Sequence, residues 1–70
     1  MVCVTDALVY KSSKEIGWVT LIVGSSDEET IKKDYLTRAV RRLYPDKKIS
    51  DFTGYEIKKV KNTRQVVGLC

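Results

Sequence analysis

The sequence predicts a small α+β domain in two layers, with the element order β-β-α-β-β and one helix packed on a four-stranded, mainly antiparallel sheet. Period-2 apolar runs at both ends of the chain predict the strands, and a capping pattern followed by an apolar stripe of helical period predicts the helix. The length of 70 residues fits a single domain over residues 1–70.

Two strands joined by a short turn are expected at the N-terminus. Residues 2–10 and residues 15–23 are rich in apolar side chains, and residues 11–14 between them are polar. Because the two runs are so close in sequence, an antiparallel hairpin is the natural pairing. The second run is apolar on both faces, so we expect an interior strand or one whose second face contacts another chain.

The two faces of this second strand predict how it packs. One face carries Ile16, Trp18, Thr20 and Ile22, and the other carries Gly17, Val19, Leu21 and Val23. The second set is compact and aliphatic, so we place it under the helix and the tryptophan face outward. This assignment depends on the register, because a shift of one residue exchanges the two faces.

One helix is predicted over about residues 27–44. Ser26 and Glu29 have the spacing of a capping box, and Pro45 stops the helix at its other end. The apolar side chains that recur with helical period are Leu36, Ala39, Val40 and Leu43. This stripe is expected to form the helix side of the core.

The C-terminal third is expected to supply two more strands. Residues 46–53 form a connection, and residues 54–61 alternate between apolar and charged side chains. Asn62 and Thr63 are residues typical of turns, so they predict a turn before a last strand over residues 64–70. The order of the strands in the sheet stays open.

No residue pattern predicts catalysis, so we expect that the protein is not an enzyme and uses no cofactor or small-molecule substrate. The chain has no histidine, which removes the commonest general base. It also has no glycine-rich phosphate loop and no nucleophile elbow. Cys3 and Cys70 are too few for a structural zinc site, so we expect no metal. We expect both to be reduced thiols, and a disulfide between them stays an alternative.

Charge is distributed unevenly along the chain, whose net charge is +4. Residues 1–31 carry two lysines and five acidic side chains, whereas residues 32–70 carry eleven basic and four acidic side chains. A basic half of this kind indicates either an anionic partner or a solvated surface.

Our first functional hypothesis is a small non-catalytic protein-binding module, such as an inhibitor or an antitoxin-like regulator, which could also form homodimers. It rests on the outward face of the second strand and on Ile31 and Tyr35, which lie about 100° to 140° from the helical core stripe. The alternative is that these two side chains cover the sheet edge. Tryptophan, tyrosine and arginine are enriched in binding hot spots. The predicted partner-binding residues are Ile16, Trp18, Ile22, Ile31, Tyr35, Arg38 and Arg42.

The alternative hypothesis is a module that binds RNA or DNA through its basic C-terminal half. A cluster of cations can follow a phosphate backbone, and aromatic side chains on a sheet face can stack on bases. The predicted nucleic-acid-binding residues are Lys47, Lys48, Lys58, Lys59, Lys61 and Arg64. A structural component of an RNA–protein assembly would need both surfaces. Lysines that keep an edge strand from pairing would explain part of the same cluster.

We expect a cytoplasmic protein without membrane contact, because the N-terminus has no basic and apolar leader and no apolar run is long enough to cross a bilayer. No motif assigns the chain to a family. In its small size and its lack of catalytic signatures, the chain is similar to accessory proteins of phages and mobile elements. That resemblance implies inhibition or neutralisation of a host protein.

Overall fold

The computed structural model describes residues 2–66, which form one three-stranded antiparallel sheet and two α-helices. The elements are β1 (Cys3–Lys11), β2 (Lys14–Val23), α1 (Glu28–Asp34), α2 (Leu36–Leu43) and β3 (Tyr55–Gln65), with a turn of 3₁₀ helix at Ile49–Asp51. The coarse class, α+β, is confirmed. The prediction of a four-stranded sheet with one helix is wrong in both of its parts.

The first strand, β1, is the centre of the sheet, whose strand order is β2-β1-β3. The predicted hairpin is present, since β1 pairs with β2 in antiparallel register from Cys3 opposite Val23 to Lys11 opposite Lys14. We expected β2 to be either an interior strand or one whose second face contacts another chain, and within residues 2–66 it is an edge strand. Its two apolar faces have another cause, because one face packs under the helices and the other stays uncovered.

The last strand, β3, runs through the turn predicted at Asn62 and Thr63. Asn62 has a backbone φ of 57°, in the left-handed region that asparagine tolerates in turns and bulges alike. Here it forms a bulge, because the register with β1 shifts between Val4 and Asp6. The Thr63 hydroxyl lies 2.7 Å from the Thr5 hydroxyl, and the strand continues along β1 to Gln65. The predicted fourth strand is wrong for residues 64–66, and its residues 67–70 lie outside the described residues.

The predicted helix is divided at Tyr35, whose φ of −112° and ψ of 10° are not helical. Its hydroxyl accepts a hydrogen bond from the N–H of Gly24 at 2.7 Å, which ties the break to the end of β2. Ile31, which lies four residues before this break, belongs to the core. On a continuous helix Ile31 would lie beside the core stripe, whereas here it is fully buried with Ala39 and Val40.

The first helix begins one residue later than the predicted capping box places it. Asp27 is the N-cap, and its Oδ2 accepts hydrogen bonds from the Thr30 N–H at 2.9 Å and from the Thr30 hydroxyl at 2.7 Å. The negative charge of an aspartate at this position also interacts favourably with the positive end of the helix dipole. The capping residue is therefore Asp27 and not Ser26.

Both helices lie on one face of the sheet, and the core fills the space between the layers. Its buried apolar members are Cys3, Ala7, Val9, Val19, Leu21, Val23, Ile31, Ala39, Val40, Tyr55 and Ile57. The prediction that Val19, Leu21 and Val23 lie under the helical layer is confirmed. Cys3 is buried in this core, and Cys70 lies outside the described residues. Between residues 2 and 66, no helix has the length and apolar character that crossing a membrane requires.

The cap provides a test of where α1 begins. We expect Asp27→Ala to lower the free energy of unfolding by about 1 kcal/mol, because two hydrogen bonds at the N-terminus lose their acceptor. Ser26→Ala is the matched control and should change it by less than about half of that amount. Urea unfolding of both variants measures the difference, and a larger loss for Ser26→Ala would contradict the assignment.

The bulge at Asn62 provides a second test. Asn62→Ala should destabilise the domain by about 1–2 kcal/mol, because alanine tolerates a left-handed backbone poorly and lacks the side-chain amide. Asn62→Gly loses the amide but accepts the backbone conformation, so its loss should be smaller. Urea unfolding compares the two variants. Equal losses would show that the backbone conformation at this position carries little of the energy.

Candidate interaction surfaces

Two surfaces of the sheet remain uncovered by the helices. The first is the open face, which we define by the outward side chains Val4, Asp6, Leu8, Tyr10, Glu15, Trp18, Thr20, Ile22, Glu56, Lys59, Lys61 and Arg64. The second is the edge groove, which is lined by Val4, Thr20, Leu21, Ile22, Arg38 and Arg42. The two surfaces meet along β2.

The edge groove begins where α2 contacts the free side of β2. Arg38 donates a hydrogen bond from Nη1 to the carbonyl oxygen of Ile22 at 2.9 Å, and its guanidinium lies 5.1 Å from the centre of the Tyr35 ring. Backbone groups of alternate strand residues point to the same side, so the N–H and C=O groups of Trp18 and Thr20 also point away from β1. The helix therefore covers the end of this edge and leaves its middle open.

The groove combines apolar surface with positive charge. Its volume is about 410 Å³, and Ile22 on its wall is 55% exposed. The ion pairs within residues 2–66 are both made by Lys32, with Glu28 and with Glu29 at 3.9 Å. Arg38 and Arg42 therefore face the groove without a carboxylate partner among the described residues.

The open face is held together by cross-strand neighbours in place of a helix. Leu8 lies between Trp18 on β2 and Lys59 on β3, and it is only 7% exposed. The Nζ of Lys61 lies 4.2 Å from the centre of the Trp18 ring, so the lysine reaches across β1. Long side chains of this kind shield apolar surface with their methylene groups while the charge stays in water. Trp18 itself is 41% exposed.

Asp6 forms the polar centre of the open face. Its carboxylate accepts hydrogen bonds at 3.0 Å from the Thr20 hydroxyl on β2 and from the Asn62 amide on β3. The Asn62 hydrogen bond, followed by the Thr20 hydrogen bond, holds the pKa of Asp6 below its ordinary value of 3.8, and the charges of Arg64 and Lys61 lower it further. One carboxylate thus links all three strands.

The predicted partner-binding set is largely gathered at β2, with two exceptions. Trp18 and Ile22 project from the open face, Arg38 and Arg42 line the edge groove, and Tyr35 lies beside Arg38 at the end of β2. Ile31 is buried in the core, so it belongs to no surface.

Ile16 is half-buried and packs against the core, so its predicted outward direction is wrong. The reason is a second bulge. Val9 lies opposite Gly17 and Tyr10 lies opposite Glu15, so Ile16 is an extra residue in β2 and its side chain changes sides.

The predicted nucleic-acid-binding set is divided between two regions. Four of its members lie on β3, namely Lys58, Lys59, Lys61 and Arg64. The Nζ of Lys58 lies 5.9 Å from the centre of the Tyr10 ring, on the open face. Lys47 instead lies 5.3 Å from the ring of Tyr44 and 5.9 Å from that of Tyr55, a core residue, and Lys48 is exposed next to it.

Sequence reasoning missed several residues of both surfaces, above all Val4, Asp6, Tyr10, Thr20 and Asn62. The alternation of residues 2–10 places Val4, Asp6 and Tyr10 on one side of β1, and that signal could have found them. Their meeting with Thr20 and Asn62 depends on the strand order, which no local pattern contains.

No protein-family model matches the chain, and no curated protein and no solved structure shows significant similarity to it. Within residues 2–66, no three side chains of histidine, cysteine, aspartate or glutamate lie together in a group that could hold a metal ion. The surfaces themselves are therefore the basis for a functional proposal.

The Asp6 carboxylate predicts how stability depends on pH. Because its pKa is lowered in the folded state, its contribution is present above the unfolded value and is lost as the pH falls through the folded pKa. Asp6→Asn should therefore be less stable than the wild type at neutral pH, and the difference should shrink as the solution is acidified. Thermal unfolding across this range measures it, and a difference independent of pH would contradict the prediction. NMR titration of Asn62→Ala should show the Asp6 pKa moving back towards its ordinary value.

Proposed function

We propose that the protein is a small protein-binding module, which captures an extended acidic segment of a partner protein along the free edge of β2. The observation that carries the proposal is the edge groove, where a free strand edge, an exposed isoleucine and two arginines without carboxylate partners lie side by side. Capture of this kind requires no chemistry on the partner. It fits an inhibitor or regulator that acts in the cytoplasm by occupying a segment of its target.

The strand edge supplies the hydrogen bonds of this interaction. The backbone groups of Trp18 and Thr20 point away from β1, so an added strand could pair with them. Main-chain pairing of this type gives affinity that depends little on sequence, and the side chains beside the edge give specificity. The opposite edge suits pairing less well, because β3 is interrupted by bulges at Lys58 and Asn62.

The arginines supply the preference for acidic partners. Arg38 already donates to the Ile22 carbonyl, so the guanidinium is positioned within the plane of the sheet next to the free edge. Arg42 lies one helical turn further along α2 and lines the same groove. A carboxylate on the added strand would form a charge-assisted hydrogen bond with such a group. An apolar side chain beside it would cover Ile22.

A charge exchange at Arg42 tests the proposal. A fluorescent peptide of about eight alternating valine and glutamate residues should bind the wild type, and a valine–lysine peptide should not. Arg42→Glu should reverse this preference, with a loss of about tenfold or more for the acidic peptide. Arg41→Glu is the matched control, because Arg41 is an exposed neighbour on α2 that does not line the groove. Fluorescence anisotropy measures both peptides, and equal effects of the two substitutions would overturn the groove as the site.

A substitution at the edge itself separates strand pairing from simple charge attraction. Thr20→Pro removes an N–H that points away from β1, so it should abolish peptide binding while the β1–β2 ladder persists. Thr20→Val removes the same hydroxyl and keeps the N–H, so it should still bind. Circular dichroism checks that both variants are folded, and binding that survives Thr20→Pro would exclude strand addition.

A further inference from the structure

We infer that the open face is a binding site for single-stranded nucleic acid, with Trp18 as the stacking platform and β3 as the contact to the phosphates. This site is centred on Trp18 and β3 and does not depend on the arginines of the edge groove. Three features support it, which are the excess of basic side chains on β3, the pairing of cations with aromatic rings, and the spacing of the cations along β3.

Basic side chains outnumber acidic ones on the open face. The strand β3 places Lys59, Lys61 and Arg64 on the open face, with Lys58 reaching the same face at Tyr10. Against these stand three carboxylates, Asp6, Glu15 and Glu56, and Asp6 is occupied by hydrogen bonds from Thr20 and Asn62. The acidic residues Asp27, Glu28 and Glu29 are at the start of α1, in the layer that covers the other face. The helical layer also carries basic side chains, namely Lys32, Lys33, Arg38, Arg41 and Arg42, so the run of cations on one strand beside aromatic rings, and not net charge, favours the open face.

The exposed ring of Trp18 and the half-buried ring of Tyr10 each have an amine near them. Lys61 lies over Trp18 at 4.2 Å and Lys58 over Tyr10 at 5.9 Å from the ring centres. Trp18 lies opposite Leu8, so Tyr10 is its diagonal neighbour on the same face. A base could stack on the indole once Lys61 moves from the ring to an adjacent phosphate. Lys61 would then contact a phosphate in place of the ring. The exchange costs little free energy, because an exposed cation–π contact is weak.

The cations are arranged in a line beside the rings. Lys59 and Lys61 are two positions apart on one strand, which corresponds to a distance of about 6.6 Å along it. Arg64 continues the line after the bulge, opposite Val4. A flexible single strand can follow such a line while its bases turn towards Trp18 and Tyr10. A duplex, whose bases are already stacked on each other, could use the cations but not the rings.

The intrinsic fluorescence of Trp18, the only tryptophan of the chain, reports on the site directly. Oligo(U) and oligo(dT) of about 12 nucleotides should quench it in low salt, and the two oligonucleotides together show whether the 2′-hydroxyl matters. Three or four phosphate contacts should give a slope of about −2 to −3 for the logarithm of the affinity against that of the salt concentration. An absence of quenching by both oligonucleotides in low salt would overturn the inference. Equal binding of polyglutamate of the same length would also overturn it, since it would show a general anion surface.

Matched charge variants locate the phosphate contacts. The double variant Lys59→Gln, Lys61→Gln should bring the salt slope closer to zero by about 1.4. The control Lys33→Gln, Lys48→Gln removes the same charge from exposed positions outside the open face and should leave the affinity within about twofold. An equal loss in both double variants would mean that net charge alone attracts the nucleic acid, and the site would be rejected.

A substitution at Trp18 tests stacking separately from charge. With a labelled oligonucleotide, Trp18→Leu should weaken binding by about 5- to 100-fold, whereas Trp18→Phe should keep most of it. The salt slope should stay unchanged in both variants, because no cation is removed. Trp18→Leu also uncovers Leu8, so thermal unfolding checks its fold, and the lysine variants decide the question if it is unfolded. A retained affinity in a folded Trp18→Leu would exclude the indole as the platform.

Discussion

The pairing of β1 along both of its edges is the constraint on which the rest of the domain depends. On the covered face this strand is filled by Cys3, Thr5, Ala7 and Val9, each no more than 1% exposed. Thr5 can be buried there because its hydroxyl pairs with the Thr63 hydroxyl at 2.7 Å and donates to the Lys61 carbonyl at 3.2 Å. A buried hydroxyl without such partners would cost about 1–3 kcal/mol. The same contacts hold the bulge of β3 in place.

This arrangement leaves one face of the sheet that no helix of residues 2–66 covers. The two helices contain seven and eight residues, and together they cover one side of the sheet. On the other side, Leu8 is shielded by the side chains of its neighbours, and Asp6 links the three strands. Each cation–π contact of an exposed site contributes only about 0.5–1 kcal/mol. The side chains of the open face thus shield its apolar surface in the isolated domain, and their rearrangement around a ligand would cost little free energy.

The sequence predicts the local elements well, but it predicts poorly which elements pack or pair with each other. The hairpin and the helical region follow from short-range patterns, and so does the burial of Val19, Leu21 and Val23. The strand order does not, since an apolar second face on β2 is equally compatible with an interior strand and with an edge strand that carries an uncovered patch. Only the pairing of β1 with β3 decides between them, and that contact is distant in sequence.

Two predictions of local structure were wrong, namely the turn at Asn62 and the continuous helix through Tyr35. In both, the local sequence is compatible with more than one backbone structure. The left-handed backbone of Asn62 is equally suited to a turn and to a bulge, and the hydrogen bond to Asp6 selects the bulge. The non-helical backbone of Tyr35 has no strong local signal, and its hydrogen bond with Gly24 accompanies the break. Ile31, four residues before the break, lies in the core and not on the predicted binding surface. In both cases a hydrogen bond between residues distant in sequence accompanies the backbone conformation that the local sequence does not specify.

The edge groove and the open face share the side chains of Val4, Thr20 and Ile22, but the free backbone edge of β2 belongs to the groove alone. In a strand the hydrogen-bonding groups lie in the plane of the sheet and the side chains project perpendicular to it. Thr20 and Trp18 can therefore offer their backbone to an added strand while their side chains remain on the open face. Both proposed partners are anionic, however, and β2 and β3 are separated by two strand spacings, or about 10 Å. That distance is close to the Debye length at about 0.1 M salt. The binding of each partner should therefore weaken the binding of the other at low ionic strength, and the two should bind nearly independently at physiological ionic strength. The factor by which the affinity falls must be the same for both partners.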